Sequence, residues 1–278
     1  NKLQTPSNQD FELQVTLKGK ELPQEVYILI DDAKIRLSKS DVSHFNYIFT
    51  NPTQSTKFQL WADGWSSPFY ELKVLPTPAL TDFEVHLNYP DYTGKTDEIL
   101  KNSGDLNVPI GTIAHWKFKT NHTSNLKIIF GDSNAVDLPK GSENNYQYNE
   151  KLLKNKSYVI AIANEYFKSK DSTRYLVNVI PDAYPTILIQ EVHDSLNDKR
   201  LYFTGELGDD YGFSQLTFKY SIVNNSKPNR KITHSLPLNI SKTSVKANFT
   251  YSIDLATLPL EPGDEIDYYF EVADNDAV

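Results

Sequence analysis

The sequence contains no cysteine and no methionine. Without cysteine neither a disulfide framework nor a thiolate metal site can form, and the paired cysteines of antibody domains are excluded. Long apolar runs are missing too. Mean hydropathy is −0.50, and no stretch approaches the roughly 20 apolar residues of a membrane span, so direct membrane insertion is not expected. Basic charge is scarce: 28 Lys and Arg stand against 36 Asp and Glu, for a formal net charge of −8. The basic residues are scattered, whereas neutralising phosphates requires them clustered, so neither nucleic acid nor an anionic membrane surface is an expected partner. The chain opens Asn1-Lys2-Leu3 with neither an initiator methionine nor a leader pattern, and it reads as a fragment of something larger.

What is abundant points one way. Aromatics make up 12% of the 278 residues, led by 17 Tyr and 14 Phe. With plentiful Val, Ile and Thr they favour pleated, half-buried surfaces, and helical periodicity is nearly absent. Phe11, Leu13, Val15 and Leu17 alternate with polar neighbours, and so do Val26, Ile28 and Ile30. Further along, Phe83, Val85 and Leu87 form one apolar face, Ala114, Trp116 and Phe118 another, and Leu201, Phe203 and Gly205 lead through Asp209-Asp210-Tyr211-Gly212 to Leu216, Phe218, Tyr220 and Ile222. Period-two alternation of this kind predicts strands with one wet face.

Proline supplies the larger punctuation. Tyr70 to Leu75 runs into Pro76-Thr77-Pro78, and Tyr175 to Ile180 runs into Pro181-Asp182-Ala183-Tyr184-Pro185. Each is a strand entering a connector too short and too fixed in φ to be a loose tether. A second repeat lies just upstream: Phe58 to Ala62, Tyr158 to Ile162 and Tyr268 to Val272 all read aromatic-x-apolar-x-apolar, and a turn former follows each, Asp63, Asn164 and Asp274. An aromatic opening the penultimate strand suggests the tyrosine corner of sandwich domains. The expected architecture is all-β, three tandem immunoglobulin-like β-sandwich domains at 1–79, 80–181 and 182–278. The last lacks its final strand, which residues beyond Val278 are expected to supply, leaving a sheet edge open.

Four motifs carry a resemblance. They are Tyr89-Pro90-Asp91-Tyr92-Thr93-Gly94-Lys95, Gly104 to Thr112, Asp209-Asp210-Tyr211-Gly212 and Gly263 to Asp276. In this order and spacing the chain resembles the extracytoplasmic immunoglobulin-like region of large uncharacterised membrane proteins of Bacteroidetes-type bacteria, known only as a domain of unknown function. The resemblance implies a periplasmic location, as the non-membrane part of a membrane-anchored parent. It carries over no catalytic residue.

The residues themselves offer little chemistry. Six histidines, His44, His86, His115, His122, His193 and His234, fall in separate elements without metal-ligand spacing. There is no Gly-x-Ser-x-Gly elbow, no phosphate-cradling glycine loop and no His-Glu-x-x-His, so no enzyme is expected. Carboxylates make the one ionic case: Asp209, Asp210, Asp274 and Asp276 sit at turns of the third domain, where calcium would find oxygen ligands. The competing reading is that they cap turns, as Asp does everywhere. No other cofactor is expected. Trp65, beside Phe69 and Tyr70, and Tyr166, beside Phe167, raise the alternative of a carbohydrate-binding or adhesive array stacking on a glycan. Packing of these rings in a core or across the proline junctions is the preferred reading, and their exposure is the discriminator. Trp61 should face away from Phe58, Leu60 and Ala62, and Trp116 should lie in a core. The expected role is that of non-catalytic structural or protein-interaction modules whose protein partner the sequence does not name.

Overall fold

A computed structural model of the chain describes residues 2–131, 134–168, 173–193, 199–224, 231–241 and 244–275. Among these, strands within residues 4–75, 79–180 and 186–274 pair only within their own group, each group forming two sheets. Each pair of sheets encloses its own apolar core. The molecule is thus a row of immunoglobulin-like sandwiches, as the alternation predicts.

In the second unit one sheet runs Glu98–Lys101, Ala79–Asn88, Ile113–Asn121, Asn145–Lys151. The other runs Leu106–Pro109, Arg174–Ile180, Lys156–Ala163, Asn125–Phe130, Asn134–Leu138. The short first strand of that second sheet lies parallel to the last strand, and the last is antiparallel to the penultimate. The first unit repeats the device: Gln4–Pro6 runs parallel to Tyr70–Leu75, which is antiparallel to Thr56–Ala62. Both arrangements close the flank beside the penultimate strand.

Cores follow the alternation. Phe83, Val85, Leu87, Ala114, Trp116 and Phe118 are buried, and the rings of the cross-strand pair Phe83 and Phe118 stack at 5.3 Å. The indole Nε1–H of buried Trp116 donates to the Tyr158 hydroxyl (3.1 Å), which in turn donates to the Gly104 carbonyl (2.7 Å). Tyr158 therefore departs from the tyrosine corner: its bond crosses to a segment 54 residues upstream instead of returning to the adjoining corner. A side chain at Gly104 would meet the Tyr175 ring and the Tyr158 hydroxyl, which is why only glycine lets this backbone approach.

The third unit is built from Thr186–His193, Arg200–Gly208 and Lys246–Asp254 facing Lys231–Leu238, Phe213–Asn224 and Asp264–Asp274. Asp264–Asp274 pairs with Phe213–Asn224 along its whole length. On its other edge no described strand takes the place of Tyr70–Leu75 or Arg174–Ile180. Gly205 faces Phe249 directly across Arg200–Gly208 and Lys246–Asp254, and the phenyl ring fills the space a side chain would need.

Candidate functional site

The residues that reach between units sit just past the penultimate strands. Asn164 follows Lys156–Ala163, and its side-chain Oδ1 accepts from the backbone N–H groups of Tyr166 (2.9 Å) and Phe167 (2.8 Å). Its Nδ2 donates to the carbonyl of Pro76 (2.7 Å) in the first connector and to that of His122 (3.0 Å). All four bonding positions of this amide are used, and one of them ties the linker to the second unit.

Asn275 occupies the nearly matching place after Asp264–Asp274. Its Nδ2 donates to the carbonyl of Tyr92 (3.1 Å), in the second unit, and to that of Tyr211 (2.9 Å), in the third. The two tyrosine rings meet edge to face at 5.5 Å. Each is held from its own side. The Tyr92 hydroxyl donates to the Ile110 carbonyl (3.2 Å), and Asp209 Oδ2 accepts from the N–H groups of Tyr211 (2.9 Å) and Gly212 (2.7 Å). Burial, then the charges of Asp210 and Asp182, pushes the Tyr211 hydroxyl pKa up.

Of the four aspartates expected as calcium ligands, Asp209 and Asp274 lie at one joint, because the amide of Asn275, next to Asp274, donates to the Tyr211 carbonyl of the loop that Asp209 caps. Asp209 caps the Tyr211 loop, Asp210 is exposed, and Asp274 Oδ1 accepts from the Asn275 N–H. Asp276 lies outside the described residues. One oxygen each of Asp209 and Asn275 is buried without a hydrogen-bond partner. Among the described residues no group of three or more His, Asp or Glu is placed to hold a metal ion.

The aromatic candidates need a correction. Trp65 does not pack against a core or a neighbour: it is 82% exposed. Asp63 and Gly64, both at positive φ, make a tight hairpin that sets Trp65 opposite Ala62 on a two-residue strand, beyond the last core layer. Phe69 is exposed beside it in sequence. Tyr166 is 47% exposed and lines a cleft of about 430 Å³ together with Pro76, His122 and Asn164, so it borders the first joint without being enclosed by it. Trp61 lies on the outer face as expected, against Tyr27 and under the Lys34 ammonium. Trp116 is fully buried, also as expected.

Two histidines that look isolated in sequence are neighbours in the fold. His86 and His115 stand directly opposite on adjacent strands. His86 Nε2 donates to Glu84 (3.0 Å) and His115 Nδ1 to Asn149 Oδ1 (2.9 Å), within a polar cleft of about 390 Å³ that Asp97, Lys117 and Gln147 also line. Only the register of Ala79–Asn88 against Ile113–Asn121 reveals this. No motif spacing could.

A family described as "Domain of unknown function (DUF4175)" has a sequence model that matches residues 68–276. No curated protein matches the chain. Among solved structures, the full Ig1–Ig3 ectodomain of mouse nectin-like molecule 4 is 11% identical with a TM-score of 0.37, over 99% of this chain and 98% of that one. The fibronectin(III)-like modules of Clostridium thermocellum CbhA are 14% identical with a TM-score of 0.28, over 64% and 89%. The Bacteroides ovatus mixed-linkage glucan locus protein SGBP-B, solved with a heptasaccharide, is 10% identical with a TM-score of 0.20, over 98% and 93%. At these scores none of them transfers a ligand or a role.

Proposed function

Because the chain belongs to this family of unknown function, whose description names no chemistry, we propose from its own geometry that it is a non-catalytic spacer and protein-interaction segment. Its parent is a membrane-anchored envelope protein, and the segment itself lies in the periplasm. The observation that carries this reading is the pair of asparagine joints. Asn164 ties the first connector down, and Asn275 bridges the second and third units through the Tyr92 and Tyr211 loops. Short proline connectors restrict the joints further. Stiff joints between sandwiches cost ordering entropy, which a chain of independent binding modules has no reason to meet. No helix among the described residues is long and apolar enough to cross a membrane.

Asn164→Ala is expected to release the first joint while leaving each sandwich folded. The distance distribution between labels on the first and second units broadens, and the second unit, which loses the three bonds Asn164 makes within it, is destabilised by about 1–3 kcal/mol while the first is unchanged. An unchanged distribution would remove the joint from the account.

A second reading has one observation in its favour, the exposure of Trp65 and Phe69. Exposed rings of this kind stack on sugars as well as on protein partners. The spacer reading predicts that the chain migrates through gels containing soluble mixed-linkage glucan, xyloglucan or mannan without retardation. Retardation that Trp65→Ala abolishes would instead establish glycan binding.

A further inference from the structure

The flank of the third unit carries an inference that does not depend on the spacer reading. In the first two units the penultimate strand is paired on both edges, and its inward aromatic is buried: Phe58 and Tyr158 are among the largest fully buried side chains. In the third unit Ile266, Tyr268, Phe270 and Val272 point into the core and yet all remain partly exposed. The first strand on the same flank is equally uncovered. Ile187 packs on the core, so Ile189, two residues on, faces the same way, but it is 39% exposed, whereas the corresponding Phe83, Val85 and Leu87 of the second unit are buried. The Tyr268 hydroxyl donates to Glu191 (2.8 Å), spanning from the last strand to the first. An apolar furrow therefore runs between Thr186–His193 and Asp264–Asp274, beside a row of backbone groups that no described strand pairs.

We infer that this furrow takes an extended peptide segment, about seven residues long, from outside these 278 residues, bound antiparallel to Asp264–Asp274 as an added strand. Its chemistry is set by what it must face. Inward, alternate positions are aliphatic, as Leu72 and Val74 are in the first unit and Val177 and Val179 in the second. Outward, the positions between carry Lys or Arg, because the strand they would flank exposes Asp267 and Glu271 on that side. Asp267 is exposed, and Glu271 already holds Lys219. The same charges argue against a second copy of this chain as the occupant. Antiparallel self-pairing centred on Tyr269 would set Asp267 opposite Glu271 twice, and like charges directly opposite are destabilising. Main-chain bonds supply the affinity in such strand addition, and alternate side chains supply the selectivity.

The test uses the whole chain with three synthetic heptapeptides: Lys-Val-Lys-Val-Lys-Val-Lys, its Glu-Val counterpart, and the Lys-Val peptide N-methylated at alternate amides. Expected are slowed hydrogen exchange at Asp264–Asp274 with the first peptide, binding at least about tenfold weaker for the second, and none for the third. Asp267→Lys, a surface change that leaves the core alone, is expected to narrow or invert the preference between the first two. The proposal is overturned by equal binding of the Lys-Val and Glu-Val peptides, by binding of the N-methylated peptide, or by no protection at millimolar peptide. It is also overturned by sedimentation showing that the chain dimerises through this same edge, for then the occupant is a second copy.

Discussion

Trp116→Ala is expected to cost the second unit about 3–5 kcal/mol, the range for truncating a buried large aromatic. The indole is fully buried at the centre of the largest core cluster, between Tyr148 and Tyr158. The first and third units do not share that core, so only one calorimetric transition should move, by about 15 °C for a unit of roughly 100 residues. Tyr158→Phe isolates the polar part. It keeps the ring and removes the hydroxyl, leaving the Trp116 N–H and the Gly104 carbonyl without a partner, for about 1–3 kcal/mol. The same residue gives a pH signature. Burial above all pushes the Tyr158 hydroxyl well above the usual tyrosine range. A folded-state pKa raised in this way stabilises fully below the unfolded value near 10, and the contribution is lost as pH rises beyond it. Tyr158→Phe should flatten that alkaline loss in the second unit. If Trp116→Ala moved the transition by less than about 1 kcal/mol, the second unit would not depend on this core.

Gly205→Val should be the most damaging small substitution in the third unit. A β-carbon there would lie 2.3 Å from the Phe249 ring and 3.1 Å from the backbone oxygen of Leu188. The ring can move only out of its cluster with Leu207, Phe213 and Leu216, and the backbone oxygen belongs to the neighbouring strand. Overpacking of this sort costs about 1–3 kcal/mol and occasionally more. A double-mutant cycle separates clash from general strand damage. Adding Phe249→Leu to Gly205→Val should return part of the loss, giving a coupling of about 1 kcal/mol or more. Strict additivity would mean that the glycine serves the backbone and not the ring.

Much of this fold is legible in the sequence because sandwich cores are written in period two. Phe83, Val85, Leu87, Ala114, Trp116 and Phe118 alternate in the sequence and are buried in the structure. Among the described residues no strand pairs with the outer edge of Asp264–Asp274, the place where the aromatic-x-apolar-x-apolar repeat leads one to expect a further strand. What the sequence hides is long-range. Asn164 reads as a turn former, which it is, but its reach to Pro76 spans 88 residues, and that of Asn275 to Tyr92 spans 183. Nothing local marks an amide that bonds another loop. Trp65 misleads for the opposite reason: bulk and apolarity suggest burial, and the hairpin at Asp63-Gly64 carries it clear of every core. The His86 and His115 pair depends on strand register, which alternation alone leaves undetermined.

The central claim is that the units are held in fixed relation by their joints. Because the chain has no cysteine, two can be introduced cleanly, at exposed Ile48 in the first unit and exposed Thr204 in the third. Spin labels at these sites report the end-to-end distance distribution by pulsed electron resonance. One narrow distribution is expected for the unmodified joints, broadened when Asn164→Ala and Asn275→Ala are combined. A broad distribution with both asparagines in place would contradict that claim.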